Sequence, residues 1–175
     1  MNWTTQMDAA RKGILTDQMK AVAAKEYMDE NRLMQLVAEG KVAIPANKKH
    51  TCLNPEGIGS MLRTKINVNL GVSRDCKDYD IEMQKVMSAV DLGAEAIMDL
   101  SSHGNTQPFR QKLTSECPAM IGTVPVYDSV IHYQRDLATL TAKHKGNTTI
   151  VATANIEATV EENIEEIKKM EQDGR

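Results

Sequence analysis

Hydrophobic and polar positions along this chain follow two rhythms. Up to about residue 63 the apolar residues recur at helical spacing; from 64 onward short alternating runs appear, separated by further helical stretches. The first part predicts three helices. Residues 5–13 form a short one with Gly13 as its stop. Thr16 or Asp17 caps a second, with Met19, Val22, Ala23 and Tyr27 near helical spacing. Asp29 caps a third, in which Leu33, Leu36 and Val37 share a face before Gly40 ends it. "VAIPAN" (42–47) predicts an edge or isolated strand because Pro45 lies inside it. "LNPEGIGS" (53–60), rich in Gly and Pro, predicts a loop.

The alternation begins at "TKINVNLGVSRD" (64–75), where Ile66, Val68 and Leu70 alternate with Lys65, Asn67 and Asn69 until Gly71 breaks the run. This is too polar for an ordinary buried strand. Either it turns one face to a core and the other to water, or it is a barrel strand whose inner end carries ligand-binding amides. A helix over 80–92 follows, with Ile81, Val86 and Val90 inward and Gly93 as its stop. Next come a strand over 94–100 and a helix over 107–117 with Pro108 near its start, where proline is tolerated. A strand begins at 119 and breaks near Pro125; helix 129–141, strand 147–156 and helix 160–172 complete the pattern.

Strands alternating with helices imply parallel pairing through right-handed crossovers. Polar groups cluster at the carboxyl ends of the strands: Asn69, then Asp99 and Ser101, then Tyr127, with Asn155 ending the last. Parallel α/β folds bind ligands at that edge. Each residue alone is also explained by a helix cap or a loop hydrogen bond, but three successive strands ending this way point to a site.

Composition narrows the function classes. A net charge of −3, without a basic stripe interleaved with aromatics, argues against nucleic acid. Aromatics make up only 3%, whereas there are 11 Met, so a core must rest on Met, Ile, Leu, Val and Ala. Cys52, Cys76 and Cys117 are far apart and odd in number, fitting neither a disulfide framework nor a Cys-x-x-Cys clip. Residues 1–5 show no signal pattern, and no apolar stretch approaches the roughly 20 residues that span a bilayer. The expectation is a cytoplasmic protein with no membrane partner. About four βα units cannot close a barrel, which takes eight strands and about 250 residues. They form either a small open α/β domain or part of a barrel completed elsewhere, with exposed edges that invite pairing.

Five stretches carry a resemblance: "TTQMDAARKGI", "VAIPAN", "KINVNLGVSRDCKDYDIEMQKV", "AEAIMDLSSHGNT" and "AMIGTVPVYD". In collinear order over about 4–141, the chain resembles the N-terminal part of the phosphomethylpyrimidine synthase (thiamin pyrimidine synthase) family. The resemblance implies an α/β fold in which a small helical N-terminal domain (1–63) precedes the first βα units (64–175) of an incomplete TIM-type (β/α)8 barrel. It implies aminoimidazole ribotide as ligand. A radical formed from S-adenosylmethionine at a [4Fe-4S] cluster would rearrange the ribotide into hydroxymethylpyrimidine phosphate, with a divalent metal such as zinc in the complete enzyme. Carried over by motif, the substrate contacts are Asn69 in "NVNLG", Met98 in "IMDLS" and Tyr127 in "GTVPVY". Residue type suits each role: an amide donates and accepts, methionine packs adaptably, and tyrosine sets a hydroxyl on an apolar body.

The chain departs from the family where the chemistry should lie. The C-terminal Cys-x-x-Cys-x4-Cys cluster motif does not occur, and His50, His103, His132 and His144 do not occupy the family's metal-binding motifs. The stretch after 141 also departs from the family pattern. The expectations are therefore that this chain binds no cofactor, has no catalytic residue and is inactive alone. By itself it would bind the ribotide weakly or not at all, and a C-terminal chain would complete it; a non-catalytic half-barrel that self-assembles is an alternative of another class. A paralogous branch, 5-hydroxybenzimidazole synthase, shares these motifs and the same substrate and stands as the alternative.

Overall fold

The computed structural model describes residues 3–134. The strand predicted at 147–156, the helix at 160–172, Asn155 and the end of the helix predicted at 129–141 lie outside the described residues.

Three short helices open the chain: α1 (Gln6–Arg11), α2 (Asp17–Lys25) and α3 (Glu30–Ala38). Each starts at a side-chain cap of the kind that satisfies an orphan backbone donor. Thr5 Oγ1 accepts from the Asp8 N–H at 3.1 Å, Thr16 Oγ1 from Met19 at 3.2 Å and Asp29 Oδ1 from Arg32 at 2.9 Å. Met19, Val22, Leu33 and Leu36 are fully buried between them. Tyr27 does not join that core. The helix ends at Lys25, the chain turns at Tyr27 (φ 51°), and its ring is 97% exposed.

The segment predicted as a loop over 53–60 contributes a strand. β1 (Val42–Ala43) pairs antiparallel with β2 (Ile58–Gly59). The strand expected over 42–47 is confined to those first two residues, before Pro45.

Beyond residue 63 the order is β3 (Asn67–Leu70), α4 (Tyr79–Asp91), β4 (Ala96–Asp99), α5 (Gln107–Glu116), β5 (Met120–Thr123) and α6 (Pro125–Tyr133). The three strands form one parallel sheet in the order β3-β4-β5. Side chains alternate between its faces. Val68, Leu70, Ile97 and Ile121 join Met83, Val86, Phe109 and Leu113 of α4 and α5 in a second core cluster. The other face carries Asn67, Asn69, Ala96, Met98, Met120 and Gly122.

Ile81, expected inward, is 47% exposed, whereas its neighbour Glu82 is completely buried. The helix starts earlier than expected, at Tyr79, with the Asp78 side chain accepting from the N–H groups of Asp80 and Ile81. The inward stripe is then Tyr79, Met83, Val86 and Val90 at helical spacing, which turns Ile81 to the surface. Glu82 is tolerated because its Oε2 accepts from the Gly71 N–H at 3.0 Å and its Oε1 pairs with Lys85. Gly71 ends β3 with φ +142°, and a Cβ there would lie 2.5 Å from the Ser101 nitrogen. Only glycine fits.

Two sets of contacts join the parts. Near the start of the sheet, the buried Glu26 carboxylate pairs with Lys65 and accepts from the Arg63 N–H at 2.8 Å, while Arg63 Nη1 donates to Glu95 at 3.4 Å. At the end of α5, the Cys117 carbonyl accepts from His50 Nε2 at 2.6 Å and Cys52 Sγ at 3.2 Å, and the Pro118 carbonyl accepts from the Asn54 N–H at 2.8 Å.

Two outcomes are expected. Gly71→Ala should destabilise the chain by more than about 1 kcal/mol in urea melts, because the position needs both a positive φ and a bare α-carbon. Burial alone would raise the Glu26 pKa, but the Arg63 N–H and Lys65 more than offset it and hold it below the usual glutamate value. A depressed folded pKa gives stability that is present above the unfolded value and lost as pH falls through the folded one. Melts between about pH 5 and pH 3 should therefore show a shallower loss for Glu26→Gln than for the parent chain.

Candidate functional site at the carboxyl ends of the strands

Parallel register aligns the strands' carboxyl ends. Leu70, Asp99 and Thr123 form the last row, and Asn69, Met98 and Gly122 the row before it. Asn69 and Met98 are therefore neighbours on the face away from the helices. The Asn67 Nδ2 donates to Asn69 Oδ1 at 2.9 Å, so two exposed amides run along the outer edge of that face. Met98 is half-buried. Its thioether lies across β5, where a Cβ on Gly122 would come within 2.7 Å of the Met98 methyl. Gly122 is what leaves room for it. Below this row a cleft of about 530 Å³ runs between the sheet and the stretch around Ile58, Leu62 and Arg63.

Tyr127 stands apart from that row. The expected break at Pro125 is the start of α6, not an irregular strand end: Pro125 occupies the first helical turn. Tyr127 is half-buried on that turn, four residues past the end of β5. The structure thus places Asn69 and Met98 in one row and Tyr127 on the helix that leaves the adjoining strand.

The polar residues behind the row form a buried network that sequence reasoning missed. Asp99 points to the helix side and is completely buried. Its Oδ1 accepts from the Ser101 N–H at 2.9 Å, and its Oδ2 accepts from Arg110 Nε at 2.7 Å. Arg110 Nη1 donates to Asp128 Oδ2 at 2.8 Å, and Thr106 Oγ1 donates to Asp128 Oδ1 at 2.7 Å. Ser101 Oγ in turn accepts from the Val72 N–H at 3.1 Å. Asp99 and Ser101 thus act as loop and strand-end anchors. Burial opposes the charge on Arg110, but the two carboxylates more than compensate and raise its pKa, so it stays protonated. Tyr79 donates to the Asn105 carbonyl at 2.9 Å and holds the 101–106 loop; burial, and then the Asp99 charge, push its hydroxyl up. In "QPFRQKLTSE" Arg110 looks like any helix-surface cation. The one available signal was its place beside Phe109 and three residues before Leu113, on the apolar side of the helix.

Chemically, the open row offers amides and a soft thioether, and the first turn of α6 a phenol, all ligand-binding groups. The thiols do not form a cluster site. Cys52 and Cys117 meet at the end of α5, and Cys76 stands on the β3–α4 loop, where its Sγ lies 3.9 Å from Glu82. Among the described residues no group of three or more His, Cys, Asp or Glu side chains could hold a metal ion. Nor is any helix among them long and apolar enough to cross a membrane.

The pattern of the Radical SAM ThiC family matches residues 5–166, nearly the whole chain. The chain belongs to this family. A phosphomethylpyrimidine synthase of Clostridium botulinum (strain 657 / Type Ba4) is 59% identical over 143 residues, covering 82% of this chain and 33% of that protein. The Hall strain's phosphomethylpyrimidine synthase gives the same identity and coverage, and that of Clostridium novyi (strain NT) is 58% identical over the same length. The chain spans about a third of the length of the curated relatives it matches. Radical SAM membership implies a [4Fe-4S] cluster and S-adenosylmethionine for the full enzyme.

Arg110→Ala should cost about 3–5 kcal/mol in denaturant melts, because it leaves two buried carboxylates without their cation.

Proposed function

We propose that this family member supplies the helical N-terminal domain (1–63) and the opening strands (64–175) of a (β/α)8 barrel. The barrel binds aminoimidazole ribotide and converts it to hydroxymethylpyrimidine phosphate in thiamin biosynthesis. The observation that carries the reading is the row Asn69–Met98–Gly122, at the carboxyl ends of parallel strands and on the face opposite the helices. That is where a parallel barrel presents residues to its ligand. The two separate core clusters support the division near residue 63.

In this reading the Asn69 amide donates to and accepts from the ribotide, the Tyr127 hydroxyl takes a phosphate or ring edge, and Met98 packs against the heterocycle. The radical is supplied by the cluster and S-adenosylmethionine of the complete enzyme. The thiols at Cys52, Cys76 and Cys117 do not fit that cluster, so no step runs through them. The chain acts in the cytoplasm with a complementing C-terminal portion, which also brings any divalent metal such as zinc, and does not turn over alone. The relatives' shared name favours the thiamin branch over the benzimidazole one.

Calorimetric titration of the chain with aminoimidazole ribotide tests this. Saturable binding is expected, weakened at least about tenfold in Asn69→Ala and in Tyr127→Ala, a loss of about 1.4 kcal/mol each. Absence of heat at millimolar ribotide would show that these strands do not form the substrate site.

A further inference from the structure

The two carboxylates held by Arg110 have particular neighbours. Asp99 follows Met98 in the chain, and Asp128 follows Tyr127. Asp99 and Met98 are consecutive on β4 and point to opposite faces, so anchoring one fixes the strand end from which the other projects. Asp128 is anchored from two sides, by Arg110 and by Thr106, on the same helical turn as Tyr127. The guanidinium is a rigid planar fork, and the separation of its Nε and Nη1 donors sets that of the two carboxylates. Two buried acids around one cation are a costly way to stabilise a core, since apolar side chains of equal volume often do as well or better. What the arrangement adds is a fixed distance between β4 and α6.

We propose that Arg110 is a positioning residue that sets Met98 and Tyr127 at a fixed separation across the ribotide site. This rests on the reading above. Arg110 touches no substrate in this role; it acts through Asp99 and Asp128. Thr106 belongs to the same device, because its hydroxyl holds the second oxygen of Asp128.

The test labels the chain with 19F-tyrosine and with 13C at the methionine methyls. The Tyr127 and Met98 signals are assigned by their loss in Tyr127→Phe and Met98→Leu. Arg110→Lys keeps the charge but cannot bridge both carboxylates. It should shift both signals, while the methyl signal of Met19, fully buried in the N-terminal core and assigned by its loss in Met19→Leu, stays in place and reports a folded chain. A folded Arg110→Lys chain with both signals unmoved would overturn the proposal. Should Arg110→Lys unfold, Thr106→Val decides, since it removes a single hydrogen bond onto Asp128. The proposal requires a shift at Met98 as well as at Tyr127, and a shift confined to Tyr127 refutes it. Gln84→Ala, on the exposed side of α4, should move neither.

Ribotide titration separates positioning from general stability. Arg110→Lys should weaken binding about tenfold in the parent chain. That increment should vanish in Tyr127→Ala and Met98→Ala backgrounds, because contacts that work through one another are not additive. An equal loss in all backgrounds would show that Arg110 serves only the fold. If the parent binds no ribotide, the functional reading falls, and with it the site role of Arg110. The resonance shifts would then report only whether the β4–α6 link exists.

Discussion

The Arg110 guanidinium, bonded to Asp99 and to Asp128, is the interaction on which the upper edge of this sheet depends. All three side chains are more than nine-tenths buried. A single charge left unpaired in that environment would carry a heavy desolvation cost. Together, with the Ser101 N–H and the Thr106 hydroxyl on the remaining oxygens, every oxygen of the two carboxylates has a donor. The consequence is geometric. Strand β4, the loop after it, helix α5 and the first turn of α6 meet at one fixed point, directly behind the row that carries Met98.

The rest of the sheet follows from how its faces are divided. The helix side is closed by aliphatic packing, and Gly71 lets β3 turn back tightly enough for its backbone to touch that of Leu100 and Ser101. The opposite side is left to amides, methionines and a glycine. Gly122 shapes that side as much as the polar residues do, because a side chain there would displace Met98 from the strand it crosses. At the lower edge Glu26, Lys65, Arg63 and Glu95 tie the helical N-terminal part to the start of the sheet. One end of the sheet is thus fixed to the neighbouring core and the other is built around a charged bridge. In the proposed barrel this division has a sense: the lower end of a parallel barrel bears on stability and the upper end on the ligand.

Much of this was legible in the residues. The caps Thr5, Thr16 and Asp29, the change from helical to alternating rhythm near residue 64, and the parallel βα order all follow from local chemistry, since capping and periodicity act within a few residues. The rows that bring Asn69 beside Met98 follow as soon as the strands pair in parallel. Ile81 and Tyr27 were misjudged for different reasons. At roughly 100° per residue Ile81 lies on the far side of the helix from Val90 and cannot share its stripe, and Tyr27 lies past the end of α2, where helical spacing no longer applies.

What the sequence by itself determined, then, is the kind and order of the described elements other than β2, and the family to which their motifs belong, because each rests on short-range preferences or on contiguous residues. What only the tertiary structure decided is the work of the buried charges. Arg110, Asp99 and Asp128 are separated along the chain by 11 and 18 positions. Any of them could stand on a solvated surface, and a charged residue looks the same in sequence whether water or another charge neutralises it. Packing α5 against the sheet removed the water. Only then did the three have to meet, and their meeting fixes where Met98 and Tyr127 stand.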